Sequence, residues 1–114
     1  MENCIFCKII KGEIPSKKVY EDDRIFVIED IGPQAPLHLL VLPKKHFANC
    51  LDMTAEDEAL VGYAYRKAGE IAVQKGYAES GFRIVQNNGE GAGQSVFHIH
   101  FHLLAGRDFT WPPG

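Results

Sequence analysis

The sequence predicts an antiparallel α+β fold on two observations. About five short strand signals are joined mostly by short turns, and only one long segment has helical periodicity. The 114 residues are read as one domain, 1–114, long enough to bury a core. The composition is that of an ordinary soluble globular chain, 46% hydrophobic and 24% charged, with no low-complexity tract or repeat.

Ile5 to Lys11 is a short apolar-basic stretch stopped by Gly12 and Pro15, which predicts one or two helical turns. Lys18–Glu21 and Arg24–Glu29 read as strands on either side of the acidic turn Asp22-Asp23. Leu37 to Leu42 is a nearly continuous apolar run closed by Pro43, the signature of a buried strand. Thr54-Ala55-Glu56-Asp57 resembles a capping box, with Thr54 as N-cap. Leu60, Tyr63, Ala64, Ala68, Ile71 and Ala72 then recur at helical spacing up to a stop at Gly76. Phe82–Asn87 reads as a strand, followed by the glycine-rich loop Asn88–Gly93 and a last strand, Val96–Leu104.

A formal net charge of −3 argues against a general nucleic-acid binder, which needs a basic face to displace counterions. No apolar run approaches the roughly 18–20 residues of a membrane span. The start Met1-Glu2-Asn3-Cys4 lacks the basic and apolar regions of a signal peptide, so a cytoplasmic location is expected, with neither nucleic acid nor membrane as partner.

Val96-Phe97-His98-Ile99-His100-Phe101-His102-Leu103-Leu104 carries the most chemistry. In a strand, His98, His100 and His102 share one face at a spacing of about 6.5–7 Å, while Phe97, Ile99, Phe101 and Leu103 take the core face. Three of the five histidines fall within these five positions, which a merely polar face would not require. Such a row suits either a catalytic metal or a nucleophilic imidazole supported by its neighbours. The loop before it favours the nucleophile. Gly89, Gly91 and Gly93 allow close backbone approach, and Gln94 and Ser95 add side-chain donors, an arrangement read as an anion cradle for a phosphate.

Cys4-Ile5-Phe6-Cys7 has the spacing of half a zinc knuckle. It could equally be two incidental thiols, whereas a redox pair normally follows a strand, which Cys4 does not. Cys50 stands alone and reads as a core or near-surface thiol.

His98-x-His100-x-His102-Leu103-Leu104 resembles the motif that names the histidine triad superfamily. Ile31–His38, Pro43-Lys44-Lys45-His46, Gly93–Phe97 and the ending Trp111-Pro112-Pro113-Gly114 are similar to its nucleotide-binding branch. The resemblance implies a five-stranded antiparallel sheet with one long and one short helix, pairing into a homodimer. It implies hydrolysis of purine nucleoside phosphoramidates with His100 as nucleophile, His102 on the phosphate and His38 in support. Asn87, Gly93, Gln94 and Ser95 then surround the phosphate and leaving group, Asp30 binds ribose, and Phe6, Ile28 and Ile31 line the base pocket. Trp111 lies close to the partner's site in relatives. No cofactor is needed for catalysis. A structural zinc on Cys4, Cys7, His46 and His98 is implied by the set many bacterial relatives carry. Two other functions fit the motif: a nucleotide-binding sensor with little turnover, and a diadenosine polyphosphate hydrolase, which the Trp111-Pro112-Pro113-Gly114 ending disfavours.

Overall fold

Residue spacing along the chain decides which side chains meet on each face of the sheet. The computed structural model describes residues 3–114; Met1 and Glu2, part of the segment inspected for a signal peptide, lie outside them. One antiparallel sheet is built from β1 (Lys18–Glu21), β2 (Ile25–Glu29), β3 (Leu37–Pro43), β4 (Phe82–Val85) and β5 (Phe101–Ala105), in the spatial order β1-β2-β3-β5-β4. The short helix α1 (Ile5–Ile10) and the long helix α2 (Glu58–Gln74) complete the fold. No helix among the described residues is long and apolar enough to cross a membrane.

Alternation along the strands sorts the core into two clusters. On one face, Ile25, Val27, Leu39, Val41, Phe101 and Leu103 pack under Ala64, Ala68, Ile71 and Ala72 of α2. The alanines have no side chain beyond Cβ, so the helix settles close to the sheet. On the other face, Phe26, Ile28, Leu40 and Leu42 pack against Phe6 and Ile9 of α1. His102 pairs with Leu40 and His38 with Leu104 across β3 and β5, so both rings belong to this second face.

The β1–β2 turn is fastened by Asp22. Its Oδ1 accepts the N–H groups of Arg24 and Ile25, and its Oδ2 accepts the hydroxyls of Tyr20 and Tyr63. Burial alone would raise this carboxyl's pKa. The hydrogen bonds from Tyr63, Arg24, Ile25 and Tyr20 prevail and hold it well below the usual carboxylate range. Since Tyr63 lies on α2, the same carboxylate ties the first hairpin to the long helix.

Three element boundaries differ from the sequence reading by more than one residue. Ala55–Asp57 forms a 3₁₀ turn, so α2 begins at Glu58, although the Asp57 carboxylate does accept the Thr54 N–H at 2.9 Å as a capping box requires. β4 stops at Val85 rather than Asn87, where the Gln86 side chain donates to the Asn87 carbonyl and to Asn88 Oδ1. β5 begins at Phe101 rather than Val96. Before it, the Ile99 N–H goes to the Phe47 carbonyl at 2.8 Å, and the His98 carbonyl accepts a ring N–H instead of joining the ladder. Ile99 is buried as expected, but Phe97 is 47% exposed: strand alternation does not reach it.

Enlarging a side chain in the closed seam between α2 and the sheet forces neighbours off their rotamers. Ala68→Leu is expected to destabilise the fold by about 1–3 kcal/mol, read as a lower urea midpoint at unchanged slope.

Candidate active site

Each triad imidazole has one nitrogen committed to a partner, and that partner's chemistry fixes which nitrogen carries the proton. A carbonyl only accepts and a backbone N–H only donates. His100 Nδ1 lies 2.8 Å from the His98 carbonyl, so it carries the hydrogen and leaves Nε2 with a free lone pair. His98 Nε2 lies 2.7 Å from the Pro43 carbonyl, which leaves Nδ1 as the lone-pair end. His102 is set through His38. The Gln34 N–H donates to His38 Nδ1 at 3.0 Å, so His38 carries its hydrogen on Nε2 and donates to His102 Nδ1 at 2.9 Å. His102 therefore presents Nε2–H.

This assignment requires neutral rings, and burial supplies the condition. Desolvation pushes His102 down to about 4, helped by the neighbouring His100 and His38, and lowers His100 and His38 despite the carboxylate of Asp30. It also pushes His98 down to about 4. Phe6 stands edge-on to His100 at 5.0 Å between centroids and to His98 at 6.0 Å, closing the apolar side of the row.

The remaining predicted residues divide by position. Asp30 is half-buried; Oδ1 accepts the Gly32 N–H at 2.8 Å, which makes the local turn, and Oδ2 lies 3.4 Å from His38 Nε2. Ile28 is buried in the cluster with Phe6, whereas Ile31 is fully exposed and Trp111 is 83% exposed. Asn87 is half-buried beside Gly93, whose φ of 94° is a left-handed conformation suited to glycine, and Ser95 is exposed.

Two expectations about the loop are corrected. Gln94 is 2% exposed, and its amide group donates to the carbonyls of Ala48 and Val96 while accepting the Gly89 N–H at 2.8 Å. Its donors are spent on backbone, so it braces the loop and does not offer a side-chain donor to a phosphate. The N–H groups of Gly89, Ala92, Gly93 and Gln94 are likewise bonded within the loop, around the 3₁₀ turn Glu90–Ala92. These four N–H groups thus close on the loop itself, which buttresses Ser95 and the histidines.

Cys4, Cys7, His46 and His98 converge, with one ligand atom of each within 4.8 Å of the others. The S–N separations are 3.4 Å (Cys4–His98), 3.3 Å (Cys7–His46) and 3.5 Å (Cys7–His98), and the two Nδ1 atoms lie 3.1 Å apart. Tetrahedral zinc with bonds of about 2.3 Å to sulfur and 2.0–2.1 Å to nitrogen has S–N edges of about 3.6 Å and N–N edges of about 3.3 Å. The donor set fits that geometry within a few tenths of an ångström. The Cys7 N–H also points at Cys4 Sγ, 3.3 Å away, which caps α1.

Sequence reading missed two groups, Pro43 and Gln34. Both act through backbone atoms, which carry no residue-type signature.

Residues 3–109 match the family described as scavenger mRNA decapping enzyme C-term binding. The chain is 50% identical over 113 residues, 99% of its length and 98% of the other's, to a HIT-like protein of Synechococcus elongatus. It is 46% identical over 106 residues, 93% of this chain and 89% of that protein, to the purine nucleoside phosphoramidase of Escherichia coli. A solved HIT family hydrolase from Legionella pneumophila superposes with a TM-score of 0.96 at 50% identity, covering 98% of this chain and all of that one. The chain therefore belongs to the histidine triad (HIT) family.

Because His102 takes its proton near 6.5 when unfolded and near 4 when folded, the unfolded chain binds more protons between those values, and stability falls as pH drops through that window. Melting curves are expected to show a lower midpoint at pH 5 than at pH 7, with the difference reduced in His102→Gln.

Proposed function

We propose that the chain hydrolyses purine nucleoside phosphoramidates through a nucleotidyl intermediate on His100. The observation that carries this reading is the pairing of opposite tautomers: His100 offers a bare Nε2 lone pair while neighbouring His102, 4.9 Å away between ring centroids, offers Nε2–H. One ring can attack phosphorus as the other donates to a phosphoryl oxygen, whose negative charge grows in the transition state.

In the first step the Nε2 lone pair forms a bond to the α-phosphorus and the P–N bond of the substrate breaks. The leaving nitrogen keeps the electron pair and takes up a proton from solvent. Water then attacks the same phosphorus and releases a proton to solvent, the P–Nε2 bond returns its electrons to His100, and a nucleoside 5′-monophosphate leaves. Asp30 sits beside the row with a carboxylate able to accept ribose hydroxyls, and Phe6 and Ile28 give an apolar wall for the base. The similarity to the E. coli purine nucleoside phosphoramidase supports the choice of substrate.

A structural zinc on Cys4, Cys7, His46 and His98 belongs to the same reading; it would cross-link α1 to the segment before β5, and the donor spacings support it. A homodimer does too, since Ile31 and Trp111 leave large apolar side chains uncovered in the single chain.

Mixing the protein with an adenosine phosphoramidate and quenching at mildly alkaline pH is expected to trap one AMP on His100, seen by peptide mass spectrometry. His100→Ala should bind AMP yet lose adduct and turnover; substantial residual phosphoramidase activity in that variant would refute the assignment. Metal analysis of untagged protein should find about one zinc per chain, lost in Cys7→Ser.

A further inference from the structure

The chain leaving β5 presses on the loop that enters β3. Gly106 has φ 98°, and a Cβ there would lie 2.8 Å from Cβ of Pro36, so the two backbones cross at a distance only glycine permits. The next residue, Arg107, donates Nε–H to the Gln34 carbonyl at 2.8 Å and a terminal N–H to the Asp108 carbonyl at 3.0 Å. Its guanidinium also lies over the Phe109 ring, 4.4 Å from the centroid. Gln34 is held from its side chain as well, by a 3.0 Å bond to the Gly32 carbonyl. The N–H of this same Gln34 is the group that bonds His38 Nδ1.

We propose that Arg107, an exposed residue that touches none of the histidines, is a positioning residue for the His38–His102 pair. By fixing Gln34 it keeps a donor on His38 Nδ1, and so keeps Nε2–H of His102 facing the reacting phosphoryl group. The hydrogen bonds run in one sense, from Arg107 to Gln34, then from Gln34 to His38, then from His38 to His102. A neutral imidazole has two tautomers, and the bond at one nitrogen selects between them. With Gln34 displaced, only the Asp30 carboxylate 3.4 Å from Nε2 still favours hydrogen there, and a share of His38 carries it on Nδ1 and presents a lone pair at Nε2. His102 then holds its own hydrogen on Nδ1 to meet that lone pair, and its outward Nε2 becomes a bare acceptor that repels phosphoryl oxygens. Lysine cannot replace the arginine, because only a planar fork bonds two carbonyls while stacking on a ring.

The catalytic consequence rests on the phosphoryl-transfer reading above; the tautomer relay does not, and the experiment separates them. Long-range ¹⁵N–¹H spectra of the imidazoles in the full-length protein would be compared between wild type, Arg107→Lys and Arg107→Met, with turnover of an adenosine phosphoramidate measured in parallel. Wild type is expected to show a pyridine-like Nδ1 and pyrrole-like Nε2 on His38. Both variants are expected to show mixed tautomers on His38 and His102, with kcat about tenfold lower and KM nearly unchanged, the scale of losing a partner that orients a histidine. Retention of the wild-type ¹⁵N pattern in both variants would overturn the proposal, whatever the rates. A tautomer change in protein that does not turn over the phosphoramidate at all would uphold the relay and remove the functional reading instead.

Discussion

The hydrogen bond from His100 Nδ1 to the His98 carbonyl is the contact on which the site depends. It leaves Nε2 of His100 as the lone-pair nitrogen, and it ties that choice to the backbone of a residue whose own ring is held elsewhere. The His98 ring is fixed at both ends, by the Pro43 carbonyl and by the convergence of Cys4, Cys7 and His46. One residue thus joins the N-terminal helix, the end of β3 and His100. Truncating its ring would remove one of the four converging donor atoms and would loosen the carbonyl that orients His100.

Identical side chains acquire different chemistry through their backbone neighbours. His98 turns a lone pair to the sulfurs, His100 turns one to the open face, and His102 turns a hydrogen there. None of the three differences lies in the imidazoles themselves. They follow from two carbonyls and one N–H, placed by the end of β3, the irregular segment before β5, and the loop between β2 and β3. Burial keeps all three rings neutral, so each tautomer can persist.

Much of this was legible in the sequence where side chains carry the signal. The apolar run Leu37–Leu42, the alanine-rich helical period and the spacing of the histidines each correspond to a buried strand, the sheet-facing helix and the observed row. The gathering of Cys4, Cys7, His46 and His98 was anticipated from resemblance, and the side chains do meet. What sequence could not show is where backbone groups spend their hydrogen bonds. A glycine-rich loop looks the same whether its N–H groups face a ligand or close on themselves, and here four of them close on the loop and on Gln94. Phe97 failed for a related reason: alternation holds only while the ladder does, and the ladder starts at Phe101.

That late start to β5 has a consequence for how the site breathes. Residues 96–100 carry His98 and His100 yet sit outside the antiparallel ladder, secured by the Ile99–Phe47 bond, the Gln94–Val96 bond and the ring bonds of His98 and His100. Segments held by a few local bonds open at lower free energy than strands whose release needs the whole sheet to part. The His100 imidazole, the proposed nucleophile, is therefore expected to open with this segment ahead of the sheet. Amide exchange across this segment is a gauge of site integrity that responds well before the sheet itself comes apart.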